Sequence, residues 1–169
     1  MMRSERGSRR LYGIMLALAA VVALLDQLTK FWAVSTLSET ERVPVIPPLI
    51  HFRLLYNPGA AFSLGENATW VFALVAAAAV GGILYTARRV ASPGWALVLG
   101  ALLGGAVSHL GDRLLREPGF ARGHVVDFID YGPFVGNVAD IALTCGGAAL
   151  VLLSLRGVPF AEETGEEPA

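Results

Sequence analysis

Four apolar runs, each close to twenty residues long and almost free of charge, divide this chain: residues 11–33, 69–87, 95–115 and 138–155. About twenty apolar residues are what a helix needs to cross a bilayer's hydrocarbon, and inside lipid every backbone N–H and C=O must be satisfied within the segment or by a closed barrel. The composition is 54% hydrophobic and 16% charged, where a soluble domain carries about 25% charged residues. The missing charge is absent from the four runs and crowded between them. The expectation is an all-α membrane protein, one membrane domain over residues 1–169 with four transmembrane helices.

The first run follows Arg3, Arg6, Arg9 and Arg10, as the apolar middle of a signal peptide would. It is too long for that, continues past Asp26 to Phe31 and Trp32, and leads into no small-residue cleavage site and no cysteine. It reads as a retained span. Four spans place both termini on one side, with Arg3, Arg6, Arg9, Arg10, Arg88, Arg89 and Arg156; the opposite loops hold Arg42, Arg53, Arg116 and Arg122. This bias predicts cytoplasmic termini, with residues 35–68 and about 116–136 facing outward. In the first outer loop, VPVIPP from Val43 and the β-prone stretch 49–56 predict a small extracytoplasmic sheet or strand platform. The Glu/Gly/Pro-rich tail, residues 161–169, is expected to be disordered. A net charge of -1 and the lack of any basic cluster interleaved with aromatics argue against nucleic-acid binding. The lone Cys145 sits in an apolar run and forms no intrachain disulfide.

A charge at the centre of a membrane helix costs at least about 2.5–3.5 kcal/mol, so acids within or beside the spans need a reason. Asp26, Asp112, Asp127 and Asp140 all fall toward the outer ends of their spans or, for Asp127, in the loop before the fourth. That depth suits a hydrolase acting on exported material. The alternative, a small proton-coupled membrane transporter, wants its carboxylate near the midplane. Asp127 and Asp140 are close enough in sequence for a loop to fold one over the other, and two carboxylates in reach of each other titrate as a unit, one able to serve as base and the other as acid. Asp26 and Lys30, at i and i+4, suit an ion pair on one helix face. Asp112 can hold the helix end against a basic neighbour, and Arg113 can reach a substrate or a carboxylate. Asn57 can donate to a peptide carbonyl, and Gly59 permits close backbone approach.

Together the motifs DQLTK (26–30), NPGAAFS (57–63), GGA (104–106) with Asp112-Arg113, VVDFI (125–129) and NVAD (137–140) resemble the lipoprotein signal peptidase (signal peptidase II) family, in the family's order and over about residues 12–155. The resemblance implies a bacterial membrane aspartyl endopeptidase without metal or organic cofactor, which cleaves the signal peptide before a cysteine carrying diacylglyceryl. It implies a catalytic pair at Asp127 and Asp140, a polar surround of Asn57, Gly59, Arg113 and Asn137, and support from Asp26, Lys30 and Asp112. It further implies lipid-modified prolipoprotein substrates, membrane lipids as surroundings, inhibition by globomycin-type cyclic peptides, and a monomer in the inner or plasma membrane with its site at the extracytoplasmic interface. The sequence departs from the family at Ser108 and His109, where Gly-Asn is usual, at Gly111, where a larger residue is common, and at Gly136, where Phe is usual. His109 retains a hydrogen-bonding side chain there, with different reach.

Overall fold

The structure is a computed structural model that describes residues 2–59 and 69–161, with side chains from Gly7 onward. Residues 60–63 of the Asn57 motif and the tail beyond Ala161 lie outside the described residues, as do the side chains of Arg3 and Arg6. The helices are α1 (Met2–Thr36), α2 (Thr69–Thr86), α3 (Pro93–Leu115) and α4 (Val138–Leu155). A single 3-10 turn, Ala87–Arg89, closes α2. All four helices are long and apolar enough to cross a membrane.

Helix α3 is the axis of the bundle. Its most apolar stretch is 56% buried, against 11–17% for the other three, and it packs on α1, α2 and α4. Small residues allow this. A Cβ on Gly100 would stand 2.9 Å from the Met15 carbonyl oxygen, and one on Gly104 would stand 2.7 Å from that of Ala19. The i, i+4 glycine pair lets two backbones close in lipid, where apolar burial alone gives no net drive to associate. The outward faces keep large apolar side chains, such as Leu24, Leu74, Val75 and Leu155, exposed. That surface is suited to acyl chains. The apolar core of Met15, Ala19, Ala87, Val90, Trp95, Ala96, Leu99 and Leu103 fills the end where α1 begins and α4 ends.

The opposite end carries an antiparallel sheet in the order β1 (Val43–Ile46), β2 (Ile50–Asn57), β3 (Val125–Asp130), β4 (Val135–Gly136). From the sequence alone Asp127 is expected in the loop before α4. It lies instead in the middle of a strand, because Val125, Val126, Phe128 and Ile129 are strand formers and pair with β2, Leu55 opposite Asp127 and Asn57 opposite Val125. Successive side chains on a strand point to opposite faces. On β3, Phe128 therefore faces away from Asp127. It joins Phe52 and the α1 residue Trp32 in a cluster with ring centroids 5.3–6.1 Å apart, which docks the sheet on α1.

Candidate functional site

Asp127 is 2% exposed, and both its carboxylate oxygens are engaged. Asn57 Nδ2 donates to Oδ2 at 2.8 Å, and Asn137 Nδ2 donates to Oδ1 at 2.6 Å. Asn57 reaches it because the pairing of β2 with β3 makes the two residues diagonal neighbours on one face. Its amide is oriented by a local turn in which the Gly59 N–H donates to Asn57 Oδ1 at 2.8 Å. Gly59 has φ +93°, a region that costs glycine little. A Cβ there would also stand 2.6 Å from the Phe72 ring and 2.9 Å from Arg113 Nη2. Arg113 lies with its guanidinium carbon 5.4 Å from the centre of the Phe72 ring. Its Nη1 donates to the carbonyls of Asn57 at 3.1 Å and Gly123 at 2.9 Å, which ties the ends of β2 and α3 together.

Asp140 enters from the first turn of α4. Asn137 is the N-cap: its Oδ1 accepts from the Asp140 N–H at 3.0 Å, and the Asp140 carboxylate accepts in return from the Asn137 N–H at 2.9 Å. This reciprocal box satisfies two helix-end N–H groups and fixes the carboxylate. Asn137, itself fully buried, therefore holds both acids, Asp127 through its amide and Asp140 through its backbone. The other Asp140 oxygen, Oδ1, lies 3.1 Å from His109 Nε2. The Asp140 side chain is 39% exposed, in contrast to buried Asp127. It lines two apolar grooves. One, of about 310 Å³, runs between α2, α3 and α4 past Phe72, Val75, His109, Arg113 and Leu143. The other, of about 230 Å³, lies under Tyr131 and Phe134 beside Ile141 and Cys145.

Burial pushes the Asp127 carboxyl up to about 6; the hydrogen bond from Asn57 opposes this, the nearby Asp140 charge adds to it, and Asn137 and the more distant Lys30 oppose it. A carboxyl that titrates there beside a second, accessible carboxylate is equipped to hold and release a proton near neutral pH. Among the described residues, no group of three or more His, Cys, Asp or Glu side chains is placed to hold a metal ion.

Beneath this pair lies a second polar layer. Lys30 Nζ, fully buried, stands 2.6 Å from Asp26 Oδ2 and 2.7 Å from Asp112 Oδ2. Asp26 also accepts from Ser108 Oγ at 2.6 Å and from the Ala139 N–H at 2.8 Å. One α1 carboxylate thereby joins α3 and the N-terminus of α4, where negative charge is favoured. Asp112 Oδ1 accepts from Gln27 Nε2 at 3.0 Å and Arg116 Nε at 2.7 Å.

The structure thus brings Asn57, Gly59, Arg113, Asp127, Asn137, Asp140 and His109 into one cluster and Asp26, Lys30 and Asp112 into the layer below. Arg113 contacts neither carboxylate through a hydrogen bond among the described residues; it holds two backbone carbonyls. Gln27, Arg116 and Asp130 carry contacts that the motifs do not announce. Asp130, fully buried on β3, pairs with Arg42 at 2.7 Å and accepts from the Gly132 N–H at 2.8 Å. Burial alone would raise its carboxyl, but the Gly132 and Arg42 contacts outweigh that and hold it below the ordinary carboxylate value. Its one sequence signal was the Asp-x-Gly turn.

A family model described as signal peptidase (SPase) II matches residues 18–156. Relatives named lipoprotein signal peptidase include one from Bifidobacterium longum subsp. infantis, 42% identical over 96% of this chain and 90% of its own length. Another, from Mycobacterium avium, is 45% identical over 92% of this chain and 86% of its own. A third, from Leifsonia xyli subsp. xyli, is 43% identical over 86% and 68%. Two solved structures described as a bacterial membrane enzyme superpose with TM-score 0.75. One is 26% identical, covering 85% of this chain and 94% of its own; the other is 24% identical, covering 93% and 94%, and bears on the fold alone.

Proposed function

The chain belongs to the signal peptidase II family, and on that premise we propose that it is an aspartyl endopeptidase that removes the signal peptide from diacylglyceryl-modified prolipoproteins, cutting before the lipidated cysteine. The observation that carries this reading is the double hold of Asn137 on Asp127 and Asp140 at the mouth of two apolar grooves. Asp127, buried and raised, keeps the shared proton; Asp140, accessible, faces the water. Asp140 takes a proton from that water as its oxygen bonds to the scissile carbonyl carbon, and Asp127 gives its proton to the carbonyl oxygen. Collapse of the tetrahedral intermediate breaks the C–N bond. The proton held by Asp140 passes to the leaving amine, and the diol proton returns to Asp127.

The signal helix lies along the α2–α3–α4 groove, and the acyl chains stay in lipid. The anchor fixes the scissile bond at one depth, which is the depth of the pair, and so turns part of the positioning into a property of the substrate. The arginines away from the sheet, Arg9, Arg10, Arg88, Arg89 and Arg156, support cytoplasmic termini and a site at the extracytoplasmic interface.

Purified protein incubated with a diacylglyceryl-modified precursor is expected to release the signal peptide, and a globomycin-type cyclic peptide is expected to stop the release. An intact precursor after prolonged incubation would overturn the proposal. The unlipidated precursor is expected to show kcat/KM lower by on the order of 10²-fold; equal rates on both forms would remove the anchoring step. His109→Asn is expected to retain activity, because Asp140 Oδ2 keeps the Asn137 N–H when the imidazole contact at Oδ1 is lost. Complete loss of turnover in that variant would show that the imidazole itself is required.

A further inference from the structure

We propose that the end of the bundle away from the sheet carries a binding site for the phosphate of an anionic phospholipid headgroup, in the cleft between Arg9 of α1 and Arg88 of the 3-10 turn. The cleft holds about 220 Å³ and is lined by Ser8, Arg9, Tyr12 and Arg88. Small-molecule pockets start at about 300 Å³, so this space suits a phosphate and its glycerol rather than a whole metabolite. Its two walls come from different elements and are joined: Ser8 Oγ donates to the Arg88 carbonyl at 3.2 Å. Tyr12 packs against the buried cluster of Met15, Ala87 and Val90, which anchors the floor.

Charge and height identify the occupant. Arg9 and Arg88 are exposed, and Arg10, Arg89 and Arg156 lie at the same end; residues 7–25, 70–111 and 141–161 contain no Asp or Glu, the nearest acids in the sequence being Glu5 and those that follow Ala161. Two guanidiniums from separate elements form a donor set matched to a phosphate, and the Ser8 hydroxyl, whose proton goes to the Arg88 carbonyl, holds the two walls together. The cleft sits where the apolar run of α1 starts at Leu11 and that of α2 ends at Thr86. Headgroup phosphates concentrate at that height, and free phosphate does not.

The test is native mass spectrometry on the full-length protein, titrated with phosphatidylglycerol or with phosphatidylcholine of the same acyl chains. The wild type is expected to retain phosphatidylglycerol preferentially. R9Q/R88Q is expected to weaken that binding by about 25-fold, about five-fold per arginine. R10Q/R89Q, which removes the same charge outside the cleft, is expected to lose clearly less than R9Q/R88Q, because a charge that only adds to the surface field makes no direct contact with the phosphate. Should R9Q/R88Q fail to fold, R88Q alone reads a loss of about five-fold. Equal losses in both double variants, or no preference between the two lipids, overturns the site. Displacement of phosphatidylglycerol by millimolar inorganic phosphate overturns the assignment to a lipid.

Discussion

Asp127→Asn is expected to lower the cleavage rate of a lipidated precursor by at least about 10³-fold while leaving the protein folded. The loss follows from its proposed task, because an amide cannot give the scissile carbonyl a proton and recover it in the next step. Survival of the fold follows from its surroundings. Burial raises the Asp127 carboxyl to about 6 in the folded protein, from an ordinary value of 3.8. A raised carboxyl binds its proton more tightly when folded, so its contribution to stability is fully present below about pH 3.8 and is lost as pH rises through about 6. Two pH units correspond to about 3 kcal/mol. Asparagine is neutral at every pH and escapes that loss. Its own amide must oppose one of the two donors, Asn57 Nδ2 or Asn137 Nδ2, which offsets part of the gain. The trend remains: the melting temperature of the variant relative to the parent should rise between pH 4.5 and pH 8. Thermal unfolding at those two values checks it. A flat difference would mean that Asp127 is not a raised carboxyl, and near-parental cleavage would mean that it is not the acid. Asp140→Asn should fall as far in activity.

What the sequence made legible were features set by local chemistry. The apolar runs are stretches of one solvent preference, and each became a helix. Asn137 and Asp140 stand three apart at a helix start, the spacing of a reciprocal cap, a local signal that went unused until the structure showed the cap. Lys30 lies one turn from Asp26, and they pair. Other features depend on partners distant in the chain. Asp127 read as a loop acid because an acid interrupts the strand pattern. Its strand exists through pairing with β2, some seventy positions earlier in the chain. Asp26 receives the Ala139 N–H from 113 residues away, and no local pattern announces that contact. Helix α1 runs beyond the apolar run at both ends, since Ser8–Arg10 and Ser35–Thr36 continue the helix with polar side chains. The resemblance supplied the site residues by position. That Asn137 links the two acids, and that Arg113 holds backbone carbonyls, required the geometry.

Lys30→Met is expected to destabilise the protein by about 3–5 kcal/mol, the cost of leaving a buried charge without its partner. The ammonium lies between two carboxylate oxygens, Asp26 Oδ2 at 2.6 Å and Asp112 Oδ2 at 2.7 Å, and all three side chains are at most 1% exposed. Asp112 Oδ1 keeps Gln27 and Arg116, and Asp26 keeps Ser108 and the Ala139 N–H. Asp112 Oδ2 keeps no donor among the described residues, and it faces Asp26 Oδ2 across the space the ammonium filled. The consequence extends to the site, because Asp26 fixes Ala139 in the same first turn of α4 that presents Asp140. Cleavage should therefore drop even at temperatures where the variant remains folded. Lys30→Met combined with Asp112→Asn is the informative partner. The new amide can donate to Asp26 Oδ2 and removes one of the two opposed charges, so about half of the lost stability should return. Denaturant or thermal unfolding of the two variants in the same detergent measures this. If the double variant is no more stable than Lys30→Met alone, the deficit comes from lost packing around the lysine stem and not from stranded carboxylates. If Lys30→Met unfolds like the parent, the lower polar layer does not hold the three helices in register.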